Sequence, residues 1–133
     1  MGTLALLRIP MKQSTKLPAI TEAQFQRQIL QAAKTFGFRA YHTRYSIGST
    51  PGFPDLVLTK PPRVIFIELK TEAGNTSSYQ DEWIEQLRDC PGVECYLWRP
   101  SDLEEAIKIL MQQKAPAPLV SAEGMAPRSK QDA

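Results

Sequence analysis

The chain has 133 residues, 42% of them hydrophobic and 23% charged, which is one domain's worth of ordinary globular composition with room for a single core. Its formal net charge is +2, unevenly spread: between Ile20 and Leu110 there are 12 acidic and 10 basic residues, and the two ends are basic. One histidine excludes multi-histidine metal sites, and two cysteines exclude a Cys₄ zinc site or a disulfide framework.

No apolar run reaches the roughly 18 residues that a membrane span needs. The opening Leu4-Ala5-Leu6-Leu7 has no basic lead and is too short for a secretory signal, and Leu6 breaks the myristoylation pattern after Gly2. The expectation is a soluble, cytoplasmic protein with no membrane partner and with Cys90 and Cys95 reduced.

Residues 1–19 read as an irregular basic arm carrying Arg8, Lys12 and Lys16, with Leu4 to Ile9 suited to an edge strand or an oligomer contact. The ordered domain is expected over residues 20–113. Thr21-Glu22-Ala23-Gln24 has the capping-box pattern, Phe25, Ile29, Ala32 and Phe36 follow at helical spacing, and Gly37 suits the position past a helix end. A first helix is therefore predicted over 21–36.

Phe38 to Tyr45 reads as a strand, and Ser46 to Phe53 as a loop. Asp55 to Thr59 and Val64 to Leu69 are β-rich runs around Lys60-Pro61-Pro62-Arg63, an antiparallel hairpin whose two prolines argue for a connection wider than a primed turn. Ser77-x-x-Gln80 opens a second helix with Trp83, Ile84 and Leu87 on one stripe, ended by Cys90-Pro91-Gly92. Val93 to Trp98 is a fourth strand. Ser101-x-x-Glu104 is expected to cap a third helix carrying Leu103, Ile107, Leu110 and Met111. Residues 114–133, rich in Ala, Pro, Ser, Lys and Gln, read as a disordered tail. The order α-β-β-β-α-β-α predicts an α/β fold with a mixed four-stranded sheet flanked by helices. Strands one to three are antiparallel, and the fourth is parallel to the third after a helical crossover.

The hairpin register locates the chemistry. Facing residues of an antiparallel pair keep a constant index sum, so a Lys60–Arg63 or Thr59–Val64 pairing sets Asp55 opposite Glu68. Facing Cβ atoms lie about 4.5–5.5 Å apart, where two carboxylates repel unless a cation compensates. A divalent metal is one candidate, since hard cations take carboxylate oxygens. Lys70 shares the Glu68 face, and Ile65, Ile67 and Leu69 take the other. Gln80 lies on the apolar stripe of the second helix, and Glu22 on that of the first. Each also has a plain structural explanation, Gln80 as the third residue of a capping box and Glu22 as an acid at a helix N-terminus.

Gly52-Phe53-Pro54-Asp55 followed by Glu68-Leu69-Lys70 resembles the PD-(D/E)xK nuclease signature. With Glu22 and Gln26 ahead of it and Gln80 and Trp83 behind, the pattern is similar to that of the virus-type replication-repair nuclease (VRR-NUC) domain across about residues 20–110. The resemblance is to stand-alone, phage-type members, which implies a restriction-endonuclease-like α-β-β-β-α-β core and a homodimer acting on branched DNA such as Holliday junctions, in the host cytoplasm if the chain is phage-encoded.

It also implies roles. Asp55, Glu68 and the Leu69 carbonyl would hold Mg²⁺ or Mn²⁺, with Glu22 as an outer ligand or an aid to a second metal. Lys70 would orient water and stabilise developing charge, and Gln80 would hydrogen-bond the water or Lys70. Arg39, Arg44 and Lys60 as a group are candidates for phosphate contacts. The competing readings are a catalytically silent nucleic-acid-binding module of the same fold and a small structural protein in which the Asp55–Glu68 pairing is coincidence.

Overall fold

The computed structural model describes residues 18–43 and 48–115. The N-terminal arm to residue 17, Arg44 and the C-terminal tail from residue 116 lie outside the described residues.

Helix α1 spans Glu22–Thr35 and starts where the capping box placed it. Thr21 Oγ1 accepts from the Gln24 N–H at 3.0 Å, and Gln24 Oε1 accepts from the Thr21 N–H at 2.8 Å. Gly37, with φ +87°, takes the left-handed conformation just past the helix end. Strand β1 (Arg39–His42) is shorter than the predicted run. It is extended one step by the Thr43 N–H donating to the Asp55 carbonyl at 3.2 Å.

Strands β2 (Leu56–Lys60) and β3 (Arg63–Leu69) pair with Lys60 opposite Arg63 and Leu56 opposite Ile67, the register read from the index sum. The predicted wider turn is not what forms. Pro61 and Pro62 alone connect the strands, joined by a cis peptide bond, an arrangement outside the primed turns. Helix α2 (Ser78–Arg88) crosses over to β4 (Glu94–Trp98), which runs parallel to β3. The sheet order is β1-β2-β3-β4, so among the described residues β1 and β4 are the edges.

Helix α3 (Leu103–Met111) does not begin at the predicted Ser101 cap. Pro100–Asp102 form a 3₁₀ turn in which Asp102 Oδ2 accepts from the Arg99 N–H at 2.8 Å. Ser101 is turned instead to Glu72, donating its Oγ to Oε1 at 3.2 Å. The buried stripe of α3 runs through Ala106, Ile109 and Leu110, and the predicted Met111 lies outside it, 55% exposed.

One face of the sheet carries the main core: Leu56, Leu58, Ile65, Ile67 and Leu69 are fully buried against Phe25 and Ile29 of α1 and the α3 stripe. The opposite face is covered at β3 and β4 by α2. There Phe53 meets Phe66 and Trp83 edge-on, with ring centroids 5.9 and 5.0 Å apart.

Arg63 ties the turn end of the sheet together. It is 2% exposed and donates to both Glu94 carboxylate oxygens at 2.8 and 2.7 Å and to the Ile109 and Gln112 carbonyls at 3.0 and 2.7 Å. It thereby closes the C-terminal end of α3 onto β3 and β4, where a cation is favoured by the helix dipole.

Candidate active site

Asp55 stands one step beyond the Leu56–Ile67 pair, which sets it beside Glu68 at the end of the hairpin away from the prolines. Its Oδ2 accepts from the Leu69 N–H at 2.9 Å, so the carboxylate substitutes for the next rung of the ladder. Glu68 is 2% exposed although it lies at the edge of the core. Its Oε2 accepts from Gln80 Nε2 at 2.7 Å, and its Oε1 is buried with no hydrogen-bond partner.

Burial is the largest effect on both carboxyls, since desolvation disfavours charge. It raises Asp55 above its usual range and, with the Asp55 charge beside it, pushes Glu68 up to about 8. The two groups are close enough to share a proton. Lys70, at the end of β3, offsets part of this, lowering both. Glu22 is exposed at the start of α1, and its carboxyl is raised by partial burial and by Asp55.

Gln80 closes the expected capping box, but its amide meets Glu68 and not the Lys70 or water expected from the resemblance. Its Oε1 accepts from the Ser77 N–H at 2.8 Å as a capping box requires, and its amide nitrogen holds Glu68. The first turn of α2 is fixed against the Gly52-Phe53-Pro54-Asp55 loop. Gly52 has φ +89°, and a Cβ there would lie 2.6 Å from the Tyr79 backbone. No side chain fits, which explains glycine at this position.

A buried carboxylate oxygen without a donor is costly unless a cation meets it. Two adjacent carboxylates, one with such an orphaned oxygen, form a hard, oxygen-only donor set that fits Mg²⁺ or Mn²⁺. Among the described residues no three His, Cys, Asp or Glu side chains gather into a metal-holding group. Glu22 thus reaches the pair through its charge and not as a third member of a cluster.

The basic candidates are placed differently. Lys60 sits at the far end of β2 from Asp55, where its Nζ donates to the Phe36 carbonyl at 2.7 Å and lies over the Phe38 ring. Its ammonium closes the C-terminal end of α1. Arg39 faces Thr59, also toward that end, and is exposed. Arg44 lies outside the described residues. Neither Arg39 nor Lys60 is brought to the carboxylates.

Sequence reasoning missed Arg99. Its Nη1 donates to the Thr71, Glu72 and Gly74 carbonyls at 2.6, 3.3 and 2.7 Å, gathering the loop between Lys70 and α2. No local signal marks it, because its partners are 25 to 28 positions away.

The model of the VRR-NUC domain matches residues 5–102, reaching into the N-terminal arm ahead of the predicted domain boundary. Among solved structures, a VRR-NUC domain protein aligns with a TM-score of 0.56 at 20% identity, over 71% of this chain and 90% of that one. A second VRR-NUC domain aligns with a TM-score of 0.55 at 21% identity, over 67% and 97%. These likenesses establish the fold. The Holliday junction resolvase Hjc of Archaeoglobus fulgidus aligns with a TM-score of 0.45 at 26% identity, over 58% of this chain and 67% of that one. No curated protein matches.

Proposed function

The chain belongs to the VRR-NUC domain family, and we propose that it is a Mg²⁺- or Mn²⁺-dependent endonuclease that hydrolyses phosphodiester bonds in branched DNA, four-way junctions included, as a homodimer. The observation that carries this reading is the half-buried Asp55 beside the buried Glu68, whose Oε1 is orphaned. Asp55, Glu68 and the Leu69 carbonyl would hold the cation. Bound there, a divalent ion supplies positive charge to the phosphoryl oxygens and makes water more acidic.

The chain's own residues do the rest. Asp55 is oriented by the Leu69 N–H, and Glu68 by Gln80 Nε2, so neither carboxylate has to reorganise as charge develops. Lys70 shares their face of β3, and its ammonium orients the attacking water and stabilises negative charge gathering on the phosphate. Glu22, at the mouth of the site, keeps its end of α1 acidic and available to an outer cation.

The homodimer follows from what two-strand cutting demands. One carboxylate pair breaks one strand per encounter, and a two-fold axis supplies the second site. The edges β1 and β4 offer surfaces for pairing.

The test is cleavage of flap, four-way-junction and duplex DNA with Mg²⁺ or Mn²⁺ beside Asp55→Ala, and sedimentation equilibrium for the dimer. Metal-dependent cutting lost in the variant supports the reading. Binding without cutting supports the silent module of the same fold, and a mass near 14.9 kDa rejects the dimer.

A further inference from the structure

The end of β4 grips the chain around Lys70 at two successive residues. One step past the Leu69–Trp98 pair, the Trp98 carbonyl accepts from the Lys70 N–H at 3.1 Å. The next residue, Arg99, turns its guanidinium to the loop that follows Lys70. Its Nη1 donates to the Thr71, Glu72 and Gly74 carbonyls at 2.6, 3.3 and 2.7 Å. Bonds from a charged donor are stronger than neutral ones. Here they close the main chain into a turn, in which the Gly74 N–H also donates to the Thr71 carbonyl at 3.2 Å. The turn brings Gly74 back alongside Lys70: a Cβ added at Gly74 would lie 3.6 Å from Lys70 Cδ and 2.9 Å from Thr71 Oγ1. The stem of Lys70 thus has a main-chain wall beside it, and Arg99 holds that wall.

A lysine is the side chain that most needs one. Its ammonium ends a flexible four-carbon stem with many rotamers, so the strand fixes where it starts and not where it points. Lys70 is half-buried, and its charge acts on Asp55, Glu68 and Glu22 together. A group that stabilises charge in a reaction does so only from a fixed place. The outer side of the same loop has a separate tether. Glu72 Oε2 accepts from the Ser101 N–H at 2.5 Å, and Oε1 from Ser101 Oγ at 3.2 Å. Removing the Arg99 guanidinium therefore leaves the loop attached to the fold and releases Gly74 from beside the lysine stem.

We propose that Arg99 is a positioning residue for Lys70: by holding the Thr71–Gly74 turn against the lysine stem it aims the ammonium at the Asp55–Glu68 pair, without itself touching DNA or metal. This rests on the nuclease reading above for the task of Lys70.

Arg99→Met keeps the stem and removes the donor, and Arg99→Ala removes both. The single-turnover cleavage rate at saturating protein should fall about 10- to 100-fold, as a small misplacement of a reacting group produces. DNA affinity in EDTA and Mn²⁺ affinity should stay at the wild-type values. Lys70→Ala combined with Arg99→Met should cut no more slowly than Lys70→Ala alone, because a residue acting through Lys70 has nothing left to act on. A merely structural role would slow both backgrounds alike. A second readout needs no cleavage. In EDTA, N-hydroxysuccinimidyl acetate followed by peptide mass spectrometry should acetylate Lys70 several-fold faster in Arg99→Met than in wild type, with the exposed Lys34 of α1 unchanged. A wild-type cleavage rate, weaker DNA binding, additive losses or unchanged Lys70 labelling overturns the proposal, and so does loss of the fold in both variants. If the wild type cuts no DNA with either metal, the nuclease reading fails, and the labelling alone decides whether Arg99 holds Lys70.

Discussion

Gln80 and Glu68 are joined by a 2.7 Å hydrogen bond across the gap between α2 and β3, and the same Gln80 side chain also closes the cap of its own helix. One residue therefore couples the start of α2 to the orientation of a buried carboxylate. Gln80→Ala removes both bonds and takes from Glu68 Oε2 its amide donor. Thermal unfolding should register a loss of about 1–3 kcal/mol, and cleavage should fall more steeply than stability explains. Unchanged cleavage in a folded variant would show that Glu68 needs no such orientation.

Metal-free protein should lose stability as pH rises. The Glu68 carboxyl is raised from 4.5 to about 8 in the fold, by burial and then by Asp55, so between these values the unfolded chain has released a proton that the folded chain retains. Stability then falls with pH through this window, at up to about 1.4 kcal/mol per pH unit for one proton. Asp55 and Glu22 are raised too and act in the same direction. Melting in EDTA from pH 5 to 9 should show the decline, Glu68→Gln should flatten it, and Mn²⁺ should restore stability at high pH. A melting temperature that rises across the window contradicts the assignment.

Gly52→Ala should uncouple the motif loop from α2. A Cβ at this residue meets the Tyr79 backbone at 2.6 Å, and φ +89° is strained for any residue with a side chain. The backbone strain alone costs about 1–3 kcal/mol. The first turn of α2 has to move away, taking Gln80 from Glu68. Cleavage by a folded Gly52→Ala protein should be strongly reduced, and a wild-type rate with a wild-type melting temperature would disprove the close approach.

The two thiols should differ in reactivity. Cys90 is exposed, and burial pushes the Cys95 thiol up to about 11. The thiolate is the reactive form, so at pH 8 a thiol reagent should modify one cysteine per chain quickly and the second only on denaturation. Replacing Cys90 with Ser should abolish the fast phase. Two fast phases in the native protein would place Cys95 at the surface.

What could be read from the chain was what depends on near neighbours. The caps at Thr21 and Ser77 are satisfied within one turn. The Asp55–Glu68 pairing follows from a hairpin whose strands are joined by two residues, and the alternation along β3 assigns Glu68 and Lys70 to one face by geometry alone. Tertiary structure decided what depends on distant partners. Lys60, a phosphate candidate by charge, is claimed by the end of α1, because the β2 terminus arrives beside the Phe36 carbonyl. Ser101 abandons its cap for Glu72, Arg99 gathers the loop after Lys70, and Met111 yields its core place to Ile109. A side chain's chemistry is written in its residue type, and its periodicity in the few residues around it. Which donor meets which acceptor is set by strands and helices tens of residues apart, and only their packing reveals that Glu68 keeps one oxygen unpartnered.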